Sequence, residues 1–326
     1  MQTPIVIISA ITDAHYQTVA QKLNVLGVPY VLFDQSALPG LTITTDFEKK
    51  ILQIGSKEYS NIGAVWNRLS FEPNLMFELK GGYLKFAQNE FKEAFKGSLR
   101  AFCNHWYNSP ESNRNASYKP MQLRVAVSHS EFKIPPTLIT SNRSSLLAFR
   151  QKYPQIIAKS LGKPILDHDG TFTSVFTQEV DDDFLKQLDN LWYSPCIFQE
   201  FITKAYTVKI AAIGKRFFAC KTAHNKNSSP ISKKHENTNN AAYTCMELPE
   251  KIARGCRKMM QYFQLQYATF DFGVTPCGEW YFFEINPNGQ WLWMEEMTGM
   301  PIASAFADML VTPAPKTPSN VKKQRP

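Results

Sequence analysis

Apolar residues recur along this chain in two rhythms. Short runs bounded by Gly, Pro, Asn or Asp predict strands, and recurrence every three or four positions predicts helices. Residues 5–8 form a continuous apolar run. Thr12 or Asp13 is placed to cap a helix with Val19, Leu23 and Leu26 on one face, Gly27 can end it, and 28–33 is the next strand. This β-α-β opening predicts a small parallel sheet. Short strands at 41–45 and 51–54, a long helix over 84–106 and a Pro/Ser/Asn-rich loop over 107–118 come next. Further on, Asn142 caps a helix over 144–152, a strand covers 156–158 and another 172–177, and the acidic triplet 181–183 starts a helix over 184–191. A strand at 215–222, a helix over 248–263 and a last helix opening at Pro301 complete the pattern. Residues 225–242 are polar and predict a mobile loop, and 313–326 predicts a disordered tail.

The richest stretch holds two aromatic and β-branched runs, 267–274 and 279–286, separated by Thr275-Pro276-Cys277-Gly278. Pro at the second position and Gly at the fourth suit a tight turn. In a simple hairpin Asp271 lies opposite Phe282, and Phe282, Glu284 and Asn286 share a face. Glu284 is then the diagonal neighbour of Asp271, about 7–8 Å away between backbones. Two carboxylates and an amide oxygen on one sheet face suit Mg²⁺, which shares its shell with waters and substrate phosphates. A single bulge would flip one strand and break this geometry, and an ordinary half-solvated hairpin is the alternative.

Composition narrows the function classes. The chain has 326 residues, enough for two or three subdomains, with 36 basic and 28 acidic residues and a net charge of +8. Four of the basic residues fall in 313–326, which holds no acid, and no basic stripe of the kind nucleic acid requires is visible. No apolar run approaches bilayer length and no signal peptide is visible, so a cytoplasmic protein is expected. The six cysteines at 103, 196, 220, 245, 256 and 277 are scattered and read as reduced, mostly buried apolar residues. No Ser/His/Asp or Cys/His constellation marks a protein nucleophile.

The run FDFGV followed by FFEINPNGQWLWMEEMTGMPI resembles the metal-binding end of an ATP-grasp ligase. Gln290-Trp291-Leu292-Trp293, with Glu296 and Thr298-Gly299, narrows the resemblance to the microviridin-type, or graspetide, maturases of ribosomal peptides. The resemblance extends over roughly 119–310. It implies an α/β ATP-grasp fold with an N-terminal parallel-sheet domain over 1–117, an ATP-grasp domain over 118–312 and the tail. It implies Mg²⁺ held by Asp271, Glu284 and Asn286, and ATP phosphates met by Lys159, with Lys119 as a second nucleotide contact and Lys221 as a further phosphate cation. In CIFQEFI, Glu200 and Phe201 match the hinge whose backbone reads adenine. Tyr206-Thr207-Val208-Lys209 stands where many relatives carry Asp-Ile-Arg. Thr207 can still bond a ribose hydroxyl, and Lys209 keeps the charge facing the reacting carboxyl but loses the bidentate fork of arginine. Arg68 ends a short strand and is either a cleft residue, hence a catalytic candidate, or a structural arginine. Lys233 and Lys234 stand where relatives place an arginine.

The implied activity is ATP-dependent phosphorylation of a carboxylate, followed by attack of an amine or hydroxyl on the acyl phosphate. The implied partner is a ribosomally made precursor peptide, leader plus acidic core, with macrocyclic amides or esters as product. A homodimer stays open, and nucleic acid and membrane are not expected as partners. Two alternatives stay open as well: a ligase of free amino acids or small peptides, and a non-catalytic nucleotide- or peptide-binding relative.

Overall fold

A computed structural model describes residues 3–34, 42–68, 79–103, 105–162, 165–168, 171–174, 177–186, 188–223 and 243–312. The stretch 225–242 with Lys233 and Lys234, and the tail 313–326, lie outside the described residues. The chain forms two compact units, Met1–Ser109 together with Pro301–Pro326, and Pro110–Met300.

In the first unit β1 (Ile5–Ser9), α1 (Ala14–Val25), β2 (Tyr30–Asp34), β3 (Ile43–Asp46), β4 (Ile51–Ile54), β5 (Lys57–Tyr59), β6 (Ala64–Asn67), α2 (Gly81–Phe102) and β7 (Trp106–Tyr107) follow in order. Strands β2-β1-β6-β7 make the expected parallel sheet. Asp13 caps α1 by accepting from the His15 backbone N–H. The division at 117/118 expected from the sequence differs from these units at both ends. The C-terminal helix Ile302–Val311 belongs to the first unit, because its apolar face packs against α1 and Trp66, whose ring centroid lies 4.5 Å from that of Phe306. The expected loop over 107–118 instead contains α3 (Pro110–Ser117), in which Pro at the first position and Glu111 in the first turn favour a start that Ser/Asn content had masked.

The second unit continues with α4 (Lys119–Ser128), β8 (Thr137–Thr140), α5 (Arg143–Lys152), β9 (Ile156–Lys159), β10 (Ile165–His168), β11 (Thr171–Ser174), β12 (Gln178–Glu179) and α6 (Asp182–Lys186). A 3₁₀ segment, Leu188–Tyr193, replaces the second half of the helix expected over 184–191. Then come β13 (Cys196–Glu200), β14 (Tyr206–Ile213), β15 (Arg216–Ala223), β16 (Tyr243–Met246), α7 (Glu250–Phe263), β17 (Tyr267–Val274), β18 (Trp280–Asn286) and α8 (Leu292–Thr298). Two antiparallel sheets position the site, β12-β9-β13-β8 and β16-β15-β14-β17-β18.

Each sheet packs one face against helices and carries the residues of the site on the other. Ala158 and Phe198 bury with Leu146 of α5. Strand alternation therefore turns Lys159, Ile197 and Gln199 to the opposite side. In the five-stranded sheet Val208, Phe270, Phe272 and Phe282 bury with Phe132 and with Met259 and Phe263 of α7. The residues between them, Lys209, Asp271 and Glu284, face the other way.

Candidate active site

The register of β17 and β18 decides the site, and it departs from a simple hairpin twice. Gly278 N–H donates to the Thr275 carbonyl at 2.9 Å, as the turn predicts, but Thr275 N–H donates to Glu279 at 3.0 Å. Gly278, at φ +83°, is thus the extra left-handed residue of a three-residue loop. A second shift falls between Asp271 and Phe272, where Phe272 pairs with Phe282 and Asp271 with Glu284, leaving Phe283 as the bulged residue. One shift would have put Asp271 and Glu284 on opposite faces. Two shifts cancel in parity, and Glu284 stands directly opposite Asp271 instead of diagonal to it.

The edge strand β18 is held at both sides of that bulge. Phe282 N–H donates to the Lys133 carbonyl at 2.8 Å. The Gln122 side chain of α4 donates to the Ile285 carbonyl at 2.9 Å and accepts from Ile285 N–H at 3.3 Å. Gly273 leaves room for this arrangement: a Cβ there would meet Phe283 Cε2 at 2.7 Å and Lys204 Cδ at 2.8 Å.

Each carboxylate faces a lysine. Lys209 lies opposite Asp271 on β14 and its Nζ donates to that carboxylate at 2.8 Å. Lys119, at the start of α4, donates to Glu284 Oε2 at 2.9 Å. Desolvation pushes Asp271 above the ordinary carboxylate range, and the Glu284 charge adds to that push against the pull of Lys209. Burial pushes Glu284 the same way, but Lys119, Lys209 and Lys159 outweigh it and its pKa is lowered. Two carboxylates sharing one site therefore divide into one that holds its charge firmly and one that resists it.

Lys159 ends β9 and reaches a cavity of about 390 Å³ lined by Lys119, Gln122, Lys159, Gln199, Asp271 and Glu284 among others. Its Nζ donates to Gln199 Oε1 at 2.8 Å, and burial, with Lys119 and Lys204 adding to it, lowers its pKa to about 8. Such an ammonium is short of counter-charge and is restored by an anion.

The other expected residues divide. Thr207 shares the face of Lys209 by strand alternation. Asn286 pairs with Thr269 on the face of Asp271, and its Oδ1 accepts from Asn288 N–H at 2.9 Å. Glu200 ends β13 and Phe201 follows it, as a hinge would, but their N–H groups already donate to the Pro136 and Gln155 carbonyls, which leaves their carbonyls as the backbone groups able to read a base. Lys221 pairs with Val208, so the pairing sets it on the core-side face of the sheet, opposite to Lys209, with its Nζ 5.9 Å from the Tyr206 ring centroid. Arg68 is in the first unit, 5% exposed, with Nε 3.1 Å from Asp13 Oδ2 and Nη2 donating to His15 Nδ1 at 3.1 Å. It is engaged as a buried structural ion pair. Sequence reasoning passed over Gln199 and Lys204. Gln199 orients Lys159, and the Lys204 ammonium lies 5.3 Å from the Phe283 ring centroid. Neither has a local signature, since both depend on strands meeting across the fold.

No protein-family model and no curated protein matches the chain. Solved structures do. A RiPP-associated ATP-grasp ligase from Chryseobacterium gregarium, in complex with ADP and a leader and core peptide, superposes with a TM-score of 0.87 at 26% identity, covering 96% of this chain and 98% of that one. The fold is that of the ATP-grasp ligases. The macrocyclase MdnC from Microcystis aeruginosa, bound with the precursor peptide MdnA, gives a TM-score of 0.83 at 23% identity over 95% of this chain and 100% of its own. D-alanyl-alanine synthetase A from Vibrio cholerae shares the ATP-grasp fold at a TM-score of 0.60 and 12% identity, over 95% of this chain and 98% of its own. Among the described residues, no helix is long and apolar enough to cross a membrane.

Proposed function

We propose that this ATP-grasp protein is an ADP-forming ligase that activates Asp or Glu side chains of a ribosomally made precursor peptide and joins them to Lys, Ser or Thr side chains of the same peptide. The observation that carries the reading is the constellation around one cavity: Asp271 facing Glu284, with Lys119, Lys159 and Lys209 gathered on them. It sits in a fold shared end to end with ligases solved with leader, core or precursor peptides.

Mg²⁺ fits this donor set. Asp271 and Glu284 offer hard carboxylate oxygens on one face, Asn286 an amide oxygen beside them, and the pair is balanced by lysines that an ion can displace. When bound at these residues, Mg²⁺ would neutralise negative charge on the phosphates. The rest falls to the protein's own side chains. Lys159, desolvated and oriented by Gln199, meets the nucleotide phosphates, and Lys119 lies beside it. The carbonyls of Glu200 and Phe201 read adenine, and Thr207 bonds the ribose. Lys209 steers the peptide carboxylate as it attacks the terminal phosphate of ATP, giving an acyl phosphate and ADP. A Lys amine or a Ser or Thr hydroxyl then attacks the acyl carbon and phosphate leaves. Positioning and charge neutralisation supply the catalysis, and no protein nucleophile is needed.

The test is incubation of the protein with ATP, Mg²⁺ and synthetic leader–core peptides rich in Asp or Glu together with Lys, Ser or Thr. Loss of one water from the peptide for each ADP formed supports the reading. An unchanged peptide, with ADP formed only when free amino acids are supplied, would replace it with the free amino-acid ligase.

A further inference from the structure

Five residues stand in one row across the second unit's five-stranded sheet. Glu284 pairs with Asp271, Asp271 with Lys209, Lys209 with Cys220, and Cys220 with Cys245 on the edge strand β16. The acidic end of the row is the site already described. The far end is a pair of cysteines placed directly opposite each other on neighbouring antiparallel strands, both with free thiols.

The hairpin between β14 and β15 fixes what kind of pair this is. Its loop is the two residues Gly214 and Lys215, so Ile213 and Arg216 are the first and last residues of a tight turn and form a hydrogen-bonded pair. Pairs alternate from there, which makes Lys209 and Cys220 hydrogen-bonded to each other. The other edge of β14 agrees, since Gly214 N–H donates to Gln266 on the β17 side, out of step with the β15 ladder. The backbone groups of Cys220 therefore point at β14, and toward β16 Cys220 and Cys245 form a non-hydrogen-bonded pair. In such pairs the Cα atoms approach to about 4.5 Å and the side chains lie closest, within the span a disulfide bridges.

We propose that Cys220 and Cys245 are a thiol modification site that closes to a cross-strand disulfide under a peroxide or a small disulfide oxidant. Cys245 is exposed and Cys220 is fully buried, so reaction begins at Cys245. With hydrogen peroxide, the Cys245 thiolate sulfur takes one oxygen, giving a sulfenic acid and, after protonation of the leaving hydroxide, water. The Cys220 sulfur then attacks the Cys245 sulfur, the S–O bond breaks, a second water leaves and the disulfide remains. The Cys245 thiol now lies 3.8 Å from the Thr298 carbonyl of α8, so closure requires its side chain to rotate away from that carbonyl toward Cys220. Burial, with Cys245 adding to it, raises the Cys220 thiol pKa, which agrees with the exposed Cys245 being the first of the two to react, and Cys220 gives its proton to the departing hydroxide as the disulfide forms. The bond would fix the edge strand to the strand carrying Cys220, the neighbour of Lys209, and would tie together the two strands that flank residues 224–242.

The experiment treats the full-length protein with dilute hydrogen peroxide, alkylates the remaining thiols in denaturant and maps a non-reducing digest by mass spectrometry. The expected result is a peptide linking Cys220 to Cys245, a fall in alkylatable thiols from six to four, and full reversal by a dithiol reductant. Cys245→Ser, a change at an exposed position, should keep its thermal unfolding temperature and leave Cys220 alkylatable after oxidation. The proposal is overturned if Cys245 goes on to sulfinic acid while Cys220 stays alkylatable, or if the oxidised thiols link to Cys103, Cys196, Cys256 or Cys277 instead. The outcome is independent of whether the protein proves to be a peptide ligase.

Discussion

Two ion-pair clusters in this molecule use similar chemistry to opposite ends. In the first unit Asp13 and Arg68 are 10% and 6% exposed at their side chains, and the Ser9 hydroxyl and the His15 backbone N–H of α1 donate to the same carboxylate. In the second, Asp271, Glu284 and Lys119 line a cavity, the side chains of the pairs Lys209–Asp271 and Lys119–Glu284 are 24% to 40% exposed, and each lysine brings a flexible ammonium rather than a fork. An arginine fork held by several partners cannot leave without stranding a buried charge. A lysine on a partly exposed carboxylate at the edge of a cavity can leave whenever a better cation arrives. The first arrangement stores fold stability, and the second keeps charge exchangeable.

The comparison can be broken at four points, in descending size of effect. Arg68→Met should cost about 3–5 kcal/mol of stability by leaving Asp13 buried and unpaired, with ADP formation per folded molecule unchanged. Denaturant unfolding checks the first part, and a stable but inactive variant would move Arg68 into the cleft. Glu284→Gln should do the reverse, lowering ADP formation by on the order of 10²–10³-fold while the unfolding transition stays in place. Next comes Asp13, whose pKa burial alone would raise but which the His15 hydrogen bond, the Arg68 charge and Ser9 bring down to about 2. A depressed folded-state pKa stabilises above the unfolded value, so this carboxylate contributes about 2 kcal/mol near neutral pH. That contribution fades as pH falls from 3.8 through about 2. Urea unfolding of the wild type and Asp13→Asn across that range should converge at the acidic end. The smallest effect separates two lysines of the cavity: Lys159→Met should weaken ATP binding about tenfold, and Lys119→Met much less. Calorimetric titration giving equal, unchanged affinities would place the phosphates elsewhere.

Much of this was legible in the sequence, and what was not has a common cause. The strands 267–274 and 280–286, the cap at Asn142, the strand carrying Lys159 and the helix after Pro249 all follow from local periodicity and turn chemistry. The pairing of Asp271 with Glu284 does not, because register depends on bulges that leave no local mark. The side of Lys221 could be settled only by knowing that β15 pairs with β14 through a two-residue loop. Arg68 ends its strand as the resemblance requires, yet its partner Asp13 is 55 positions earlier and already spoken for as a helix cap. Gln199 and Lys204 likewise gain their roles from neighbours distant in the chain.

The two extra residues in the β17–β18 hairpin behave like a pair of compensating frameshifts. The first, at Gly278, puts the strand out of phase, and the second, at Phe283, restores it, so that only residues 279–282 are read in the altered phase. Those residues are anchored on their own account, with Phe282 stacked at 5.5 Å on Phe132. The phase of Glu284 and Asn286 is set from the other side, by Gln122 clamping Ile285. The loop tip is therefore insulated from the acidic pair. A lengthened or shortened turn at 275–279 would be absorbed before it reached Glu284, and this tip is where the hairpin is free to vary while the chemistry behind it stays in phase.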